Sequence, residues 1–229
     1  YTLTLRQSCA PTPGQDSKAP FVIPIMVGLL DEQGHALPHN QLCVLHEAEQ
    51  QWVFDGIAQA PVPSLLRGFS APVVLHVEYS QAKLLTLLAH DSDPFNQWEA
   101  GQRLATRAAL SAIEGQSPAG PILHPEVVQA FGQVLQNPQL DPAFIELVLT
   151  LPSETYLAEQ LSVVDPLRIH QVRQAMRMQL ARELQPIWEQ VYATHRTRGT
   201  FSISVQAMGQ RALANLALQH LCLSAVGNP

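Results

Sequence analysis

The histidines are the residues best suited to chemistry in this chain, and their spacing argues against a metal centre. His46-Glu47 opens like the H-E-x-x-H pattern, in which two imidazoles one helical turn apart bind zinc. The fifth position is Gln50, so the second ligand is missing, and the segment reads as strand and turn rather than as one helix face. His35 and His39 are also four residues apart, but Gly34 and Pro38 put them in a loop with no acidic or Cys partner expected. Zinc needs three or four convergent ligands. His76, His170 and His220 are isolated and read as surface residues or hydrogen-bonded core residues. There is no G-x-S-x-G elbow, Gly-rich phosphate loop or EF-hand spacing, and no pair of carboxylates stands out for acid–base work. No catalytic, cofactor-binding or metal-binding residue is therefore assigned, and no cofactor is expected within this chain.

The other chemical feature is a basic stretch. Between residues 165 and 198, Arg168, Arg173, Arg177, Arg182, Arg196 and Arg198 stand against Asp165, Glu183 and Glu189, with Arg173 and Arg177 one turn apart on one face. A nucleic-acid stripe would need more charge and interleaved exposed aromatics, so a solvated or internally paired helix face is expected. The whole chain has a net charge of −6, which gives no pull toward nucleic acid or an anionic membrane. No run of 18 apolar residues occurs, so no membrane span is expected. Cys9, Cys43 and Cys222 are too few and too scattered for a disulfide framework. They read as buried free thiols in a reducing compartment, with cytoplasm the expected location. The chain opens at Tyr1, in what reads as the middle of a strand, which suggests a piece of a longer protein.

Two grammars divide the elements. Up to about residue 80 the apolar residues recur with period two. Tyr1-Leu3-Leu5 predicts a first strand, and Phe21 to Leu30 a second with Ile23, Ile25 and Val27 on one face. Pro24 inside that run predicts an edge position or a bulge. Leu42-Val44, Trp52-Phe54 and Val73-Leu75-Val77 read as further strands, the last closing the set. Six or seven short strands suggest an antiparallel sandwich over residues 1–80.

Helix signals follow, in a domain expected over 81–229. Asp93-Pro94, Pro125-Glu126, Asp141-Pro142, Ser153 and Asp165-Pro166 supply caps or N1 prolines. Val127, Val128, Phe131, Val134 and Leu135 form one apolar stripe, and Phe144, Leu147 and Val148 a second. The helix from Pro166 is expected to be the longest, broken near its end by Pro186. A last helix is expected from Ser204 to a stop at Gly227, without a polar capping unit before Pro229. Helices in succession with short loops indicate an α-solenoid or irregular bundle, expected to be truncated at its C-terminus.

A resemblance adds to this reading. The segment Phe54-Asp55-Gly56-Ile57, continuing through Pro61-Val62-Pro63-Ser64-Leu65-Leu66-Arg67 to Phe69-Ser70-Ala71-Pro72-Val73, resembles the end of the immunoglobulin-like domain in the bacterial aminopeptidase N family of gluzincin alanyl aminopeptidases. Taken by itself it is a rigid strand connection, with Leu65-Leu66 placed to plug the sandwich end. Tyr1-Thr2-Leu3-Thr4, Trp98-Glu99-Ala100, Asp141-Pro142-Ala143, Leu149-Thr150-Leu151-Pro152-Ser153 and Asp165-Pro166 extend the similarity over nearly the whole chain.

The family's zinc and substrate-amine motifs, H-E-x-x-H and G-A-M-E-N, do not occur in this sequence. The resemblance thus implies a scaffold and active-site cap without the catalytic domain. Zinc would lie in that missing domain of the same polypeptide, and peptides would be the substrates. The alternative is a stand-alone protein-interaction module built from a sandwich and helical repeats. The fragment reading also predicts apolar patches at the sandwich's N-terminal face and on the last helix, with possible self-association through them.

Overall fold

The computed structural model describes residues 1–115, 120–197 and 200–226. Two compact units emerge, Tyr1–Gln97 and the remainder from Trp98.

In the first unit, β1 (Thr2–Arg6) pairs antiparallel with β4 (Glu49–Val53). A second sheet has the order β3 (Ala36–Leu45), β2 (Ile23–Leu30), β5 (Val62–Leu65), also antiparallel. Alternation dictates what each strand buries: Leu3 and Leu5 from β1 share one core with Ile25, Val27 and Leu29 from β2 and Cys43 and Leu45 from β3. Leu65 and Leu66 both enter this core, although consecutive strand residues face opposite ways. The left-handed backbone of Leu66, φ 55°, ends β5 and turns both side chains inward. The result is an antiparallel β-sandwich, as the alternation predicts.

Three strand expectations need correction. Among the described residues there are five strands, not six or seven. Val73, Leu75 and Val77 do pack against the core, but no regular strand covers them. The closing strand is Val62–Leu65, where two prolines suggested a mere crossing. Pro63 is tolerated because β5 is an edge strand, and the Pro63 carbonyl accepts the Tyr79 hydroxyl at 2.7 Å. Pro24 neither makes β2 an edge strand nor marks its irregularity, which falls between Gly28 and Leu30. Its position has another cause: β5 covers only Val27–Leu30, so residues 23–26 have a ladder partner on one side alone. On the open side the Met26 amide donates instead to Ser70 Oγ at 3.0 Å.

One helix belongs to this unit and has no counterpart in the sequence reading: α1 (Gln81–His90), capped by Ser80 and packed on β5. Gly34 turns β2 into β3 with φ +88°, and a Cβ there would stand 2.3 Å from the His90 ring.

Seven helices follow among the described residues: α2 (Pro94–Glu114), α3 (Pro125–Gln136), α4 (Pro142–Leu149), α5 (Glu154–Glu159), α6 (Pro166–Glu183), α7 (Gln185–His195) and α8 (Val205–Val226). The predicted caps are in place. Asp141 accepts from the Ala143 and Phe144 amides, Ser153 from Tyr156 and Asp165 from Arg168. Pro186 does break the long run, since its ring excludes a continuous helix, and α7 starts afresh after Leu184. The longest helix is accordingly α8, not the one from Pro166. On α4 the buried face is Ile145, Val148 and Leu149, while Leu147 from the expected stripe is exposed. Gly209 lets α8 lie against α4, because a Cβ there would meet the Ala143 backbone nitrogen at 3.0 Å. The expected stop at Gly227 lies outside the described residues, as does Arg198.

Candidate functional site

Two polar centres stand out, one in each unit. The first begins with Arg67, in the 3-10 turn that follows β5. Its guanidinium crosses above Gly28, where a Cβ would come within 2.5 Å of Nη1. It donates to Asp91 Oδ1 at 3.0 Å, Ser64 Oγ at 3.1 Å and Ser92 Oγ at 2.7 Å. Asp91 Oδ1 also accepts the Asp93 amide at 2.9 Å, and Asp93 accepts the Gly68 amide at 2.8 Å. The Asp91 side chain is fully buried and its Oδ2 has no partner among the described residues. Burial pushes the Asp91 carboxyl up, against the opposing pull of Ser64, the Asp93 amide and Arg67. The centre is a latch: it ties the end of β5 to the loop after α1.

The second centre is a cleft of about 330 Å³ among α4, α6 and α8. Its walls include Leu149, Leu151 and Leu216, and its polar groups come from Glu146, Arg173, Arg177, Asn215, Gln219 and His220. Helical spacing accounts for the layout. Arg173 and Arg177 are i,i+4 on α6, and Asn215 and Gln219 are i,i+4 on α8, so each pair shares a face. Arg173 donates to the Pro152 carbonyl at 2.8 Å and the Leu151 carbonyl at 3.5 Å, and Arg177 donates to Gln174 Oε1 at 3.0 Å. Burial first, and then the charge of Arg177, push the Arg173 guanidinium below its ordinary value, with Glu154 acting the other way.

His220 forms the inner wall. Its ring stacks on the buried Trp188 indole at 4.2 Å between centroids and 10° between planes. Nδ1 lies 3.0 Å from the Leu216 carbonyl, which only accepts, so Nδ1 carries the proton. Nε2 is then a lone pair, buried and without a partner among the described residues. Burial pushes this imidazole down; the Leu216 bond opposes that and the Arg177 charge adds to it.

The remaining sequence candidates disperse. His35 does have an acidic neighbour, contrary to expectation: the turn folds Asp31 Oδ2 to 3.0 Å from Nδ1. His39 meets the Asp55 carbonyl, His46 the Val44 carbonyl, and His170 pairs with Glu154 at 2.9 Å on the surface. Among the described residues no group of three or more His, Cys, Asp or Glu is placed to hold a metal. No described helix is long and apolar enough to cross a membrane. Of the cysteines only Cys43 is buried; Cys9 and Cys222 are exposed, because one sits in the loop after β1 and the other on the outer face of α8. Within the basic stretch, Arg168, Arg173 and Arg177 are hydrogen-bonded internally, to carbonyls and one side-chain amide. Arg168 donates to the Ala112 and Gly115 carbonyls at 2.6 and 3.2 Å, closing the end of α2.

Sequence reasoning found the Arg173/Arg177 spacing but not the cleft, which needs three helices brought together. The latch was missed for the same reason, since 24 residues separate its two charges.

Comparison with known proteins adds the family. A model described as a domain of unknown function (DUF3458) with an Ig-like fold matches residues 1–78, and its partner (DUF3458_C), described as ARM repeats, matches residues 81–228. The chain belongs to the DUF3458 family. Among relatives of this DUF3458 chain, Aminopeptidase N of Escherichia coli strain K12 is 35% identical over 96% of the chain and 26% of its own length. Aminopeptidase N of Haemophilus influenzae is 34% identical over 100% and 27%. Aminopeptidase N of Caulobacter vibrioides is 37% identical over 85% and 22%. A crystal structure of Legionella pneumophila aminopeptidase A in complex with aspartic acid superposes with a TM-score of 0.83, at 26% identity, over 99% of this chain and 26% of that one. The DUF3458 chain therefore spans about a quarter of the length of the relatives it matches. Its architecture is an Ig-like sandwich followed by a helical repeat domain.

Proposed function

We propose that this chain is the non-catalytic scaffold and active-site-capping part of a zinc-dependent aminopeptidase that removes N-terminal residues from peptides. One observation carries the reading: the chain aligns almost end to end with proteins named Aminopeptidase N, yet occupies only 26% and 27% of two of them. On this reading the sandwich is a domain of residues 1–80 that joins the catalytic domain of the same polypeptide to a helical domain of residues 81–229. The helical domain covers the active site and admits short peptides. Zinc belongs to the catalytic domain. The donor set among the described residues does not fit the ion, so no step of hydrolysis is assigned to this chain.

Cytoplasm is the proposed location. Self-association of the chain is proposed through exposed apolar residues such as Leu42 and Val44 on β3 and Val205 and Met208 on α8.

The test is alanyl p-nitroanilide hydrolysis by this chain with added zinc, beside the full-length product of the same gene. An inactive chain next to an active full-length enzyme is the expected result. Chelator-sensitive activity in the chain alone would overturn the reading.

A further inference from the structure

The cleft on α4, α6 and α8 holds two guanidiniums side by side, neither hydrogen-bonded to a carboxylate, with Glu154 acting on Arg173 only through space. Each guanidinium has five N–H donors in a rigid fork. Arg173 uses its forks on two neutral carbonyls and Arg177 on one neutral amide, so most of their donors have no protein acceptor. Like charges held together in a half-buried setting are unfavourable unless an anion compensates them.

We propose that this cleft binds a small organic monocarboxylate, with the carboxylate on Arg173 and Arg177 and the ligand body against Leu149, Leu151 and Leu216. The other groups narrow the ligand class. Glu146 lines the same cleft, so the lining carries two cations and one anion, and Glu154 acts on Arg173 from outside it. That balance suits a monoanion and opposes a phosphate dianion. Asn215 and Gln219 carry side-chain amides with no described partner at the rim, suited to an amide group on the ligand. A volume of about 330 Å³ sits at the small end of ligand pockets and takes a molecule the size of an acylated amino acid. His220 supplies a wall rather than a contact, since its free Nε2 is closed off from solvent. The site is independent of the capping role and would exist in this chain alone.

The test is calorimetric titration of the 229-residue chain with N-acetyl-L-leucine. Parallel titrations use N-acetyl-L-leucinamide, which lacks the carboxylate, and inorganic phosphate. Saturable one-site binding of the acid is expected, with the amide and phosphate each weaker by about tenfold or more. Arg177→Gln should weaken the acid by about tenfold and leave the amide unchanged. Arg177 is chosen because Arg173 also holds two backbone carbonyls, and far-UV circular dichroism checks that the variant folds. Equal binding of acid and amide, tighter binding of phosphate, no saturable binding, or an unchanged affinity in folded Arg177→Gln would each overturn the proposal. If the variant does not fold, the acid-against-amide comparison on the native chain decides.

Discussion

Arginine does different work in the two units. In the sandwich unit Arg67 is drawn into a charge-paired network: its side chain is 15% exposed, its carboxylate partner Asp91 is wholly buried, and two serines each accept one further N–H. In the helical unit Arg103 does pair with Glu99 at 2.8 Å, but Arg168 and Arg173 hydrogen-bond to neutral carbonyls and Arg177 to a neutral amide, with Glu154 reaching Arg173 only through space. A buried charge satisfied by an opposite charge fixes backbone geometry, because neither partner tolerates the other's loss. A charge satisfied by carbonyl dipoles keeps its field, and that field is available to a ligand. Structural and receptive arginines can thus be told apart by what faces them, not by burial alone.

The largest effect should come from Arg67→Met, which strands Asp91 in the interior. A loss of about 3–5 kcal/mol is expected in urea unfolding. Most of that loss should return in the double variant Arg67→Met/Asp91→Leu, and failure to recover would show that the two charges are not one unit. Gly28→Ala should follow at about 1–3 kcal/mol, because the new methyl group pushes on a guanidinium pinned at three points. Arg173→Met should cost about 1–2 kcal/mol through its two carbonyl bonds. Arg177→Met should fall within about 0.5 kcal/mol, since nothing buried depends on it. A large destabilisation by Arg177→Met would erase the contrast between the two units.

Titration sharpens the same contrast. His220 has a folded pKa below its unfolded one, so its contribution is present above about pH 6.5 and is lost as the pH falls through the folded value. Arg177 is the charged group that presses on it. His195, lowered by burial, adds in the same direction. Thermal melts between pH 7.5 and about 5 should therefore show declining stability, and His220→Phe should reduce the slope without abolishing it. Asp91 runs the other way. Its raised pKa means a contribution present below about pH 3.9 and lost as the pH rises through the folded value, so Asp91→Asn should flatten only that acid window.

What the sequence made legible was local. Asp141, Ser153 and Asp165 cap helices through bonds spanning two or three residues, and Pro186 breaks one through its own ring. The alternation of Leu3 and Leu5 needs nothing beyond its own strand. Strand pairing is not local, and there the reading slipped: Val73, Leu75 and Val77 alternate as a strand should but lie outside the ladders, while Pro63 sits in one. An edge position excuses a proline, and edges are defined only once all strands are in place. The helix α1 went unread because Ser80 is an unremarkable cap preceding a segment without acidic first-turn residues. The cleft was half legible. Arg173 and Arg177 announced a face; nothing in the chain announced that Asn215 and Gln219 would stand across from it.

The Arg67–Asp91 latch also bears on the order of events during synthesis. The sandwich strands leave the ribosome before the helix that follows them, and all five described strands precede Asp91. The strands can pair as they emerge, but Arg67 has no counter-charge until the segment through Asp93 has cleared the exit tunnel. Nascent chains halted with residue 80 exposed should accordingly be cut readily by protease near Arg67, and those exposing residue 97 should resist. The sandwich becomes a finished object only when the first helix after it has arrived.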